Sequence, residues 1–150
     1  MSSKLLSLIA FLILIFMVLY VVLNPSYQKS LQAKYYFETG EYKEALVLAK
    51  EAFSLDVYNR MSSTIMSQSI IALKYKSYIR DAIKYTMMIE EIVNQTNIAD
   101  KDRAKIKIIC EIMVDSYKKL APSVITDKEL VNIASGYYIK FENILEKVTR

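Results

Sequence analysis

At 150 residues the chain has the length of one ordinary domain, yet 53% of it is hydrophobic and its mean hydropathy is positive, which is high for a protein bathed in water. Two Gly and two Pro leave few of the residues that sheet proteins spend on turns, one cysteine excludes an intrachain disulfide, and the absence of His removes the usual proton carrier and the commonest metal ligand. The net charge of +4 is mild and Lys alternates with Glu, so no concentrated basic patch calls for nucleic acid.

Much of the apolar excess sits in one stretch. Residues 5–23 read LLSLIAFLILIFMVLYVVL, without a charge, Gly or Pro, and 15 of the 19 are Leu, Ile, Phe or Val. At ~1.5 Å per residue this is roughly 28 Å of helix, close to the ~30 Å hydrocarbon core of a bilayer. Such residues favour insertion by about 0.3–0.6 kcal/mol each, and Tyr20 suits the interface near one end. A cleaved signal peptide has a shorter core and small residues before its cut, whereas this run leads into Val-Val-Leu-Asn-Pro. A buried core helix needs a polar stripe, which is missing. We therefore expect residues 1–24 to be an uncleaved N-terminal transmembrane anchor. Its flanks leave both orientations open. Lys29 and Lys34 follow the span and count towards a cytoplasmic domain. Lys4 abuts the apolar run while residues 24–28 carry no charge, which favours a short cytoplasmic tail and an extracytoplasmic domain, periplasmic in a bacterium.

Beyond the anchor the chain reads as helices throughout. Asn24-Pro25 is an N-cap followed by a first-turn proline, opening a helix over residues 25–39 that Gly40 ends. Glu41 or Tyr42 opens a second helix, to about Leu55, folded back antiparallel on the first. A third is predicted over residues 57–74, a break at 75–77, and a fourth over 78–94. Thr96-Asn97 marks a boundary, with Asp100 as N-cap of a fifth helix over 101–120, stopped by Pro122. Thr126-Asp127-Lys128-Glu129 reads as a capping box opening a sixth, to about Val148. Helical spacing places Ile106, Ile109, Met113, Tyr117 and Leu120 on one face of the fifth. In the sixth, Leu130, Ile133, Ala134, Tyr137, Phe141, Ile144, Leu145 and Val148 line up. The expected fold class is all-α: the anchor, then about six antiparallel helices in three hairpins over residues 25–150, each burying its stripe on its neighbours.

Residues 33–59 read AKYYFETGEYKEALVLAKEAFSLDVYN. With Ala33, Tyr36, Gly40, Tyr42, Ala45, Ala52, Leu55 and Asp56 at that motif's spacing, the stretch at about 26–59 resembles a tetratricopeptide repeat. The motif's final Pro is replaced by Val57, and its early Trp position holds Lys29. A degenerate second unit lies over residues 63–96, where Ile79-Arg80-Asp81-Ala82-Ile83 echoes Tyr42-Lys43-Glu44-Ala45-Leu46, and residues 101–150 keep the hairpin layout without the signature, as a repeat or a cap. The resemblance implies an α-solenoid of stacked hairpins whose first helices line a concave groove that binds peptides or protein surfaces. Carried onto this chain, the groove positions are Tyr27, Ser30, Lys34 and Phe37, with Ser67 and Lys74 from the second unit. The variant that clamps a terminal carboxylate needs several basic and Asn side chains there, and only Lys34 and Lys74 are at hand.

No catalytic constellation competes with this. Glu90 and Glu91 diverge by ~100° on a helix and cannot easily share a proton. There is no Gly-rich phosphate loop and no Ser nucleophile with a base. Cys110 reads as a buried inert thiol, the methionines as core filler, and each Tyr pair (35 and 36, 137 and 138) as one core and one exposed ring. The expected function is a membrane-anchored adaptor or scaffold, not an enzyme, with a protein or peptide partner, the membrane held through Leu5 to Leu23, and no cofactor, nucleic acid or small-molecule substrate. The alternative is a small structural subunit of a membrane complex with no separable ligand.

Overall fold

A computed structural model describes residues 3–95 and 98–149 of the protein. The described residues form six α-helices and no strand: α1 (Ser3–Leu23), α2 (Pro25–Glu38), α3 (Tyr42–Leu55), α4 (Arg60–Val93), α5 (Asp100–Lys118) and α6 (Lys128–Thr149). They divide into two compact units, Met1–Ile70 and Ile71–Arg150. The expected boundary at Thr96-Asn97 lies outside the described residues.

In the first unit lies α1, among the described residues the one helix long and apolar enough to cross a membrane, and none of that stretch is buried. A single residue, Asn24, separates it from α2. The Asn24 carboxamide accepts the Ser26 N–H at 2.9 Å, and Pro25 takes the first-turn position, as the sequence predicts. The backbone ladder almost carries through: Asn24 N–H donates to the Tyr20 carbonyl (3.0 Å) and Gln28 N–H to the Asn24 carbonyl (3.1 Å). Gln28 Nε2 reaches back to the Val22 carbonyl, and the Tyr20 and Tyr27 rings meet edge to face at 6.3 Å.

The α2/α3 hairpin turns on Gly40, whose φ of +81° is the left-handed conformation that L side chains resist. Its interior is a seam of alanines. Ala33 of α2 and Ala45, Ala49 and Ala52 of α3 are all fully buried, and such small side chains let helix axes approach closely. Ile65 on the first part of α4 closes this core, with Tyr36, Phe37, Leu48, Met61 and Met66 around it.

Between the hairpin and α4 lies a buried polar knot centred on Asn59. Its amide donates to Ser26 Oγ (2.9 Å) and Ser30 Oγ (2.8 Å), while its carbonyl oxygen accepts the Met61 and Ser62 N–H groups at 3.1 and 3.2 Å. Ser26 in turn donates to the Ala52 carbonyl (2.8 Å) and Ser30 to the Ser26 carbonyl (2.9 Å). Asn59 thus caps α4 and saturates both donors and the acceptor of its own side chain. α4 starts at Arg60 for this reason, three residues later than the sequence reading places it.

α4 also corrects the helix count. The expected break at 75–77 does not exist, so among the described residues five helices follow α1. Tyr75-Lys76-Ser77 contains neither Pro nor Gly, and the buried positions 62, 65, 69, 72, 75, 78, 82, 86, 89 and 92 keep helical spacing through the supposed break.

In the second unit, residues 71–93 of α4 pack with α5 and α6. The core holds Tyr75, Tyr78, Ala82, Ile89 and Ile92, then Ile106, Ile109, Cys110, Met113 and Val114, then Ala134 and Phe141. The stripes predicted on α5 and α6 are those that pack, except Ile133, which is exposed. Two caps shift by one residue. Ala99, not Asp100, occupies the N-cap of α5, and Asp100 and Asp102 sit in its first turn, where negative charge suits the helix dipole. Asp127, not Thr126, caps α6, accepting the Glu129 N–H at 2.8 Å. Thr126 Oγ1 is taken by the Ser123 N–H at 2.8 Å, so the predicted capping box does not form.

Candidate functional site

The six groove positions fall into distinct environments. α2 turns residues 26, 30, 33 and 37 inward, and this decides two of them. Ser30 is fully buried and its hydroxyl is engaged by Asn59 and the Ser26 carbonyl, so it is not a surface residue. Phe37 is half-buried, packed on the alanine core with its ring 5.3 Å from Tyr42. Tyr27 and Lys34 lie on the flank of that stripe, Tyr27 half-buried against Tyr20 and Lys34 exposed with Glu38 at 3.7 Å. Ser67 is exposed and donates to the Ser63 carbonyl at 3.0 Å. Lys74 belongs to the second unit, on the rim of a cavity of about 390 Å³ beside Tyr78 and Tyr85.

What the motif transfer misses is the company of Tyr27 and Lys34. Leu31 and Tyr35 are 49% and 65% exposed, and at spacings of four and eight from Tyr27 they share its face. Tyr35 and Tyr36 divide as predicted, Tyr36 against the core and Tyr35 outward with the two rings 5.7 Å apart. Two aromatics, an aliphatic and a Lys–Glu pair on one open helix face can meet a partner chemically: rings for burial, charges for registry. The spacing was readable once the inward stripe was assigned.

No known protein family, characterised protein or solved structure matches the chain. The chemistry of the sites therefore rests on their own geometry.

The second unit carries a tyrosine cluster. Tyr117 lies 5.6 Å from Tyr78 and stacks on Tyr138 at 4.5 Å, and Tyr138 donates to Glu142 Oε1 at 2.8 Å. Both members of the 137–138 pair are half-buried, unlike the expected division. Among the described residues the buried Tyr78 hydroxyl has no hydrogen-bond partner, and burial, then Tyr117 and Tyr138, push its pKa well above the usual phenol value. Cys110 is fully buried, and burial followed by Glu111 raises its thiol to about 11, which keeps it protonated and unreactive at neutral pH. The methionines do not all fill the core, since Met87 is 64% exposed. Among the described residues no three His, Cys, Asp or Glu side chains gather into a metal cluster.

Proposed function

We propose that the protein is a membrane-anchored, tetratricopeptide-like adaptor or scaffold, an α-solenoid that binds a protein or peptide on its helical hairpins. The observation that carries this reading is the α2/α3 hairpin. Its αL glycine turn, its fully buried alanine seam and the outward face of Tyr27, Leu31, Lys34 and Tyr35 are what a peptide-binding repeat requires. α1 supports the tether, because an apolar helix with every face open is stable in a bilayer and costly in water. With Asn24 as the whole linker, the hairpin sits at the membrane surface. The charge pattern around the span favours an extracytoplasmic domain, and a topology reporter fused after residue 150 tests that side.

The test is a photoreactive amino acid at Lys34 or Tyr35 of the full chain in its native membrane. Discrete protein adducts at both positions, missing when the probe stands at Lys105, are expected. Absence of adducts at both overturns the adaptor reading. The short junction also favours the second reading, a structural subunit whose anchor packs against other helices. Replacing residues 1–24 by an unrelated anchor separates the two: an adaptor keeps its adducts, a subunit loses them.

A further inference from the structure

The end of α4, the start of α5 and the end of α6 enclose a cavity of about 660 Å³ in the second unit, open to solvent. That volume falls in the ~300–1,000 Å³ range of small-molecule sites. Its walls are aliphatic, chiefly Ile89, Ile106, Ile144 and Val148, and among the described residues no aromatic ring lines it. Two cations, Arg103 on α5 and Lys147 on α6, stand at the cavity, and among the described residues neither side chain has an ion pair or hydrogen-bond partner. Glu90 also lines it, but its carboxylate is held by Lys140 Nζ at 3.2 Å.

We propose that this cavity binds the aliphatic chain of an anionic amphiphile, with the acidic head group on Arg103 and Lys147. The two halves of the lining ask for two halves of one ligand. A flexible hydrocarbon chain fits walls of branched aliphatic side chains and needs no hydrogen bonds from them. Two unpaired cations beside an apolar cleft complement a carboxylate or phosphate, and contacts to an ionised group in such a place are the strong kind. A bound peptide would need partners for its main-chain N–H and C=O groups along its whole length, and the aliphatic walls of Ile89, Ile106, Ile144 and Val148 supply none. The source is a free fatty acid or an anionic phospholipid, the head-group chemistry being shared. This site is separate from the α2 face and stands whether or not that face binds a partner.

The test uses the full chain in phosphatidylcholine nanodiscs, titrated with the fluorescent fatty acid cis-parinaric acid. Saturable binding above that of empty nanodiscs is expected. Arg103→Glu with Lys147→Glu should weaken it roughly tenfold or more, the loss of two charge-assisted contacts. Lys105→Glu with Lys128→Glu, the same charge change on the same two helices, should leave it unchanged. Val93→Trp, a partly exposed wall position filled by a larger side chain, should weaken it with helicity intact. Oleate should displace the probe and uncharged oleyl alcohol should not. Displacement on adding phosphatidylglycerol to the nanodisc names a phospholipid as the source, and displacement by oleate alone names a free acid. The proposal is overturned if there is no saturable binding, if the control pair weakens it equally, if oleyl alcohol competes as well as oleate, or if an acidic amphipathic peptide displaces the probe and oleate does not.

Discussion

Asn59 does more for the first unit than its place in a short loop indicates. It is fully buried, it caps α4, and its amide donates to two buried hydroxyls of α2 whose own protons go to the Ala52 and Ser26 carbonyls. Asn59→Ala removes a cap worth ~1 kcal/mol and strands buried polar groups at ~1–3 kcal/mol, so a loss of about 2–4 kcal/mol is expected from urea denaturation of the full chain in detergent micelles. Asn94→Ala, at an exposed position, should cost under ~0.5 kcal/mol. Tyr78 predicts the opposite sign. Its hydroxyl is buried and, among the described residues, unpartnered, so Tyr78→Phe should be neutral or stabilising, by up to about 1 kcal/mol. Buried phenols and the Cys110 thiol also make stability fall in alkali. Cys110 titrates at about 11 in the fold against an ordinary 9.0, and burial raises Tyr75 and Tyr78 above 10.0. The folded state therefore holds these protons longer than the unfolded one. Their contribution is complete below the ordinary values and is lost as pH rises through the folded ones. Melting temperature measured by circular dichroism should decline progressively above pH 9, and less steeply in Tyr78→Phe.

At the scale of elements, α4 shows where local reading failed and why. Ser and Lys around Tyr75 resemble a connection, but a helix ends only where its backbone groups find other partners or a residue forbids continuation. Nothing at 75–77 does either, and Tyr75, 2% exposed, belongs to the continuous buried stripe. Ser77→Pro tests this. In an uninterrupted helix it removes a backbone bond and clashes with the preceding turn, costing ~3 kcal/mol or more, whereas a true break would tolerate it. A thermal melt of the variant distinguishes the two outcomes. The cap shifts at Asp127 and Ala99 have the same origin: neighbouring Thr, Asp and Ala residues compete for one role, and the geometry of the preceding loop chooses.

For the whole molecule the decisive element is α1. This helix exposes Leu, Ile, Phe and Val on every side and is long and apolar enough to cross a membrane, and the proposal that it anchors the protein has a direct test. The protein should stay in the pellet on alkaline carbonate extraction, with its intact mass showing residues 1–24 present, and deletion of residues 5–23 should release it. A soluble mature form would remove the tether and with it the adaptor reading. The two units differ in what they offer. The first presents an aromatic and charged helix face, and the second encloses an aliphatic cavity.

By itself the sequence determined the all-helical class, the apolar span, the Asn24-Pro25 and Gly40 boundaries and, Ile133 apart, the inward stripes of α5 and α6. Each of these is a local property, set by period, capping chemistry or composition within a few residues. The tertiary structure alone decided that Ser30 and Phe37 face inward, that Asn59 is a buried hub, and that Arg103 and Lys147 share a cavity with Ile89. Those facts join side chains as much as 58 residues apart along the chain (147 less 89). No local pattern encodes such a meeting, because packing free energy depends on which surfaces are brought together and not on where each residue stands in line.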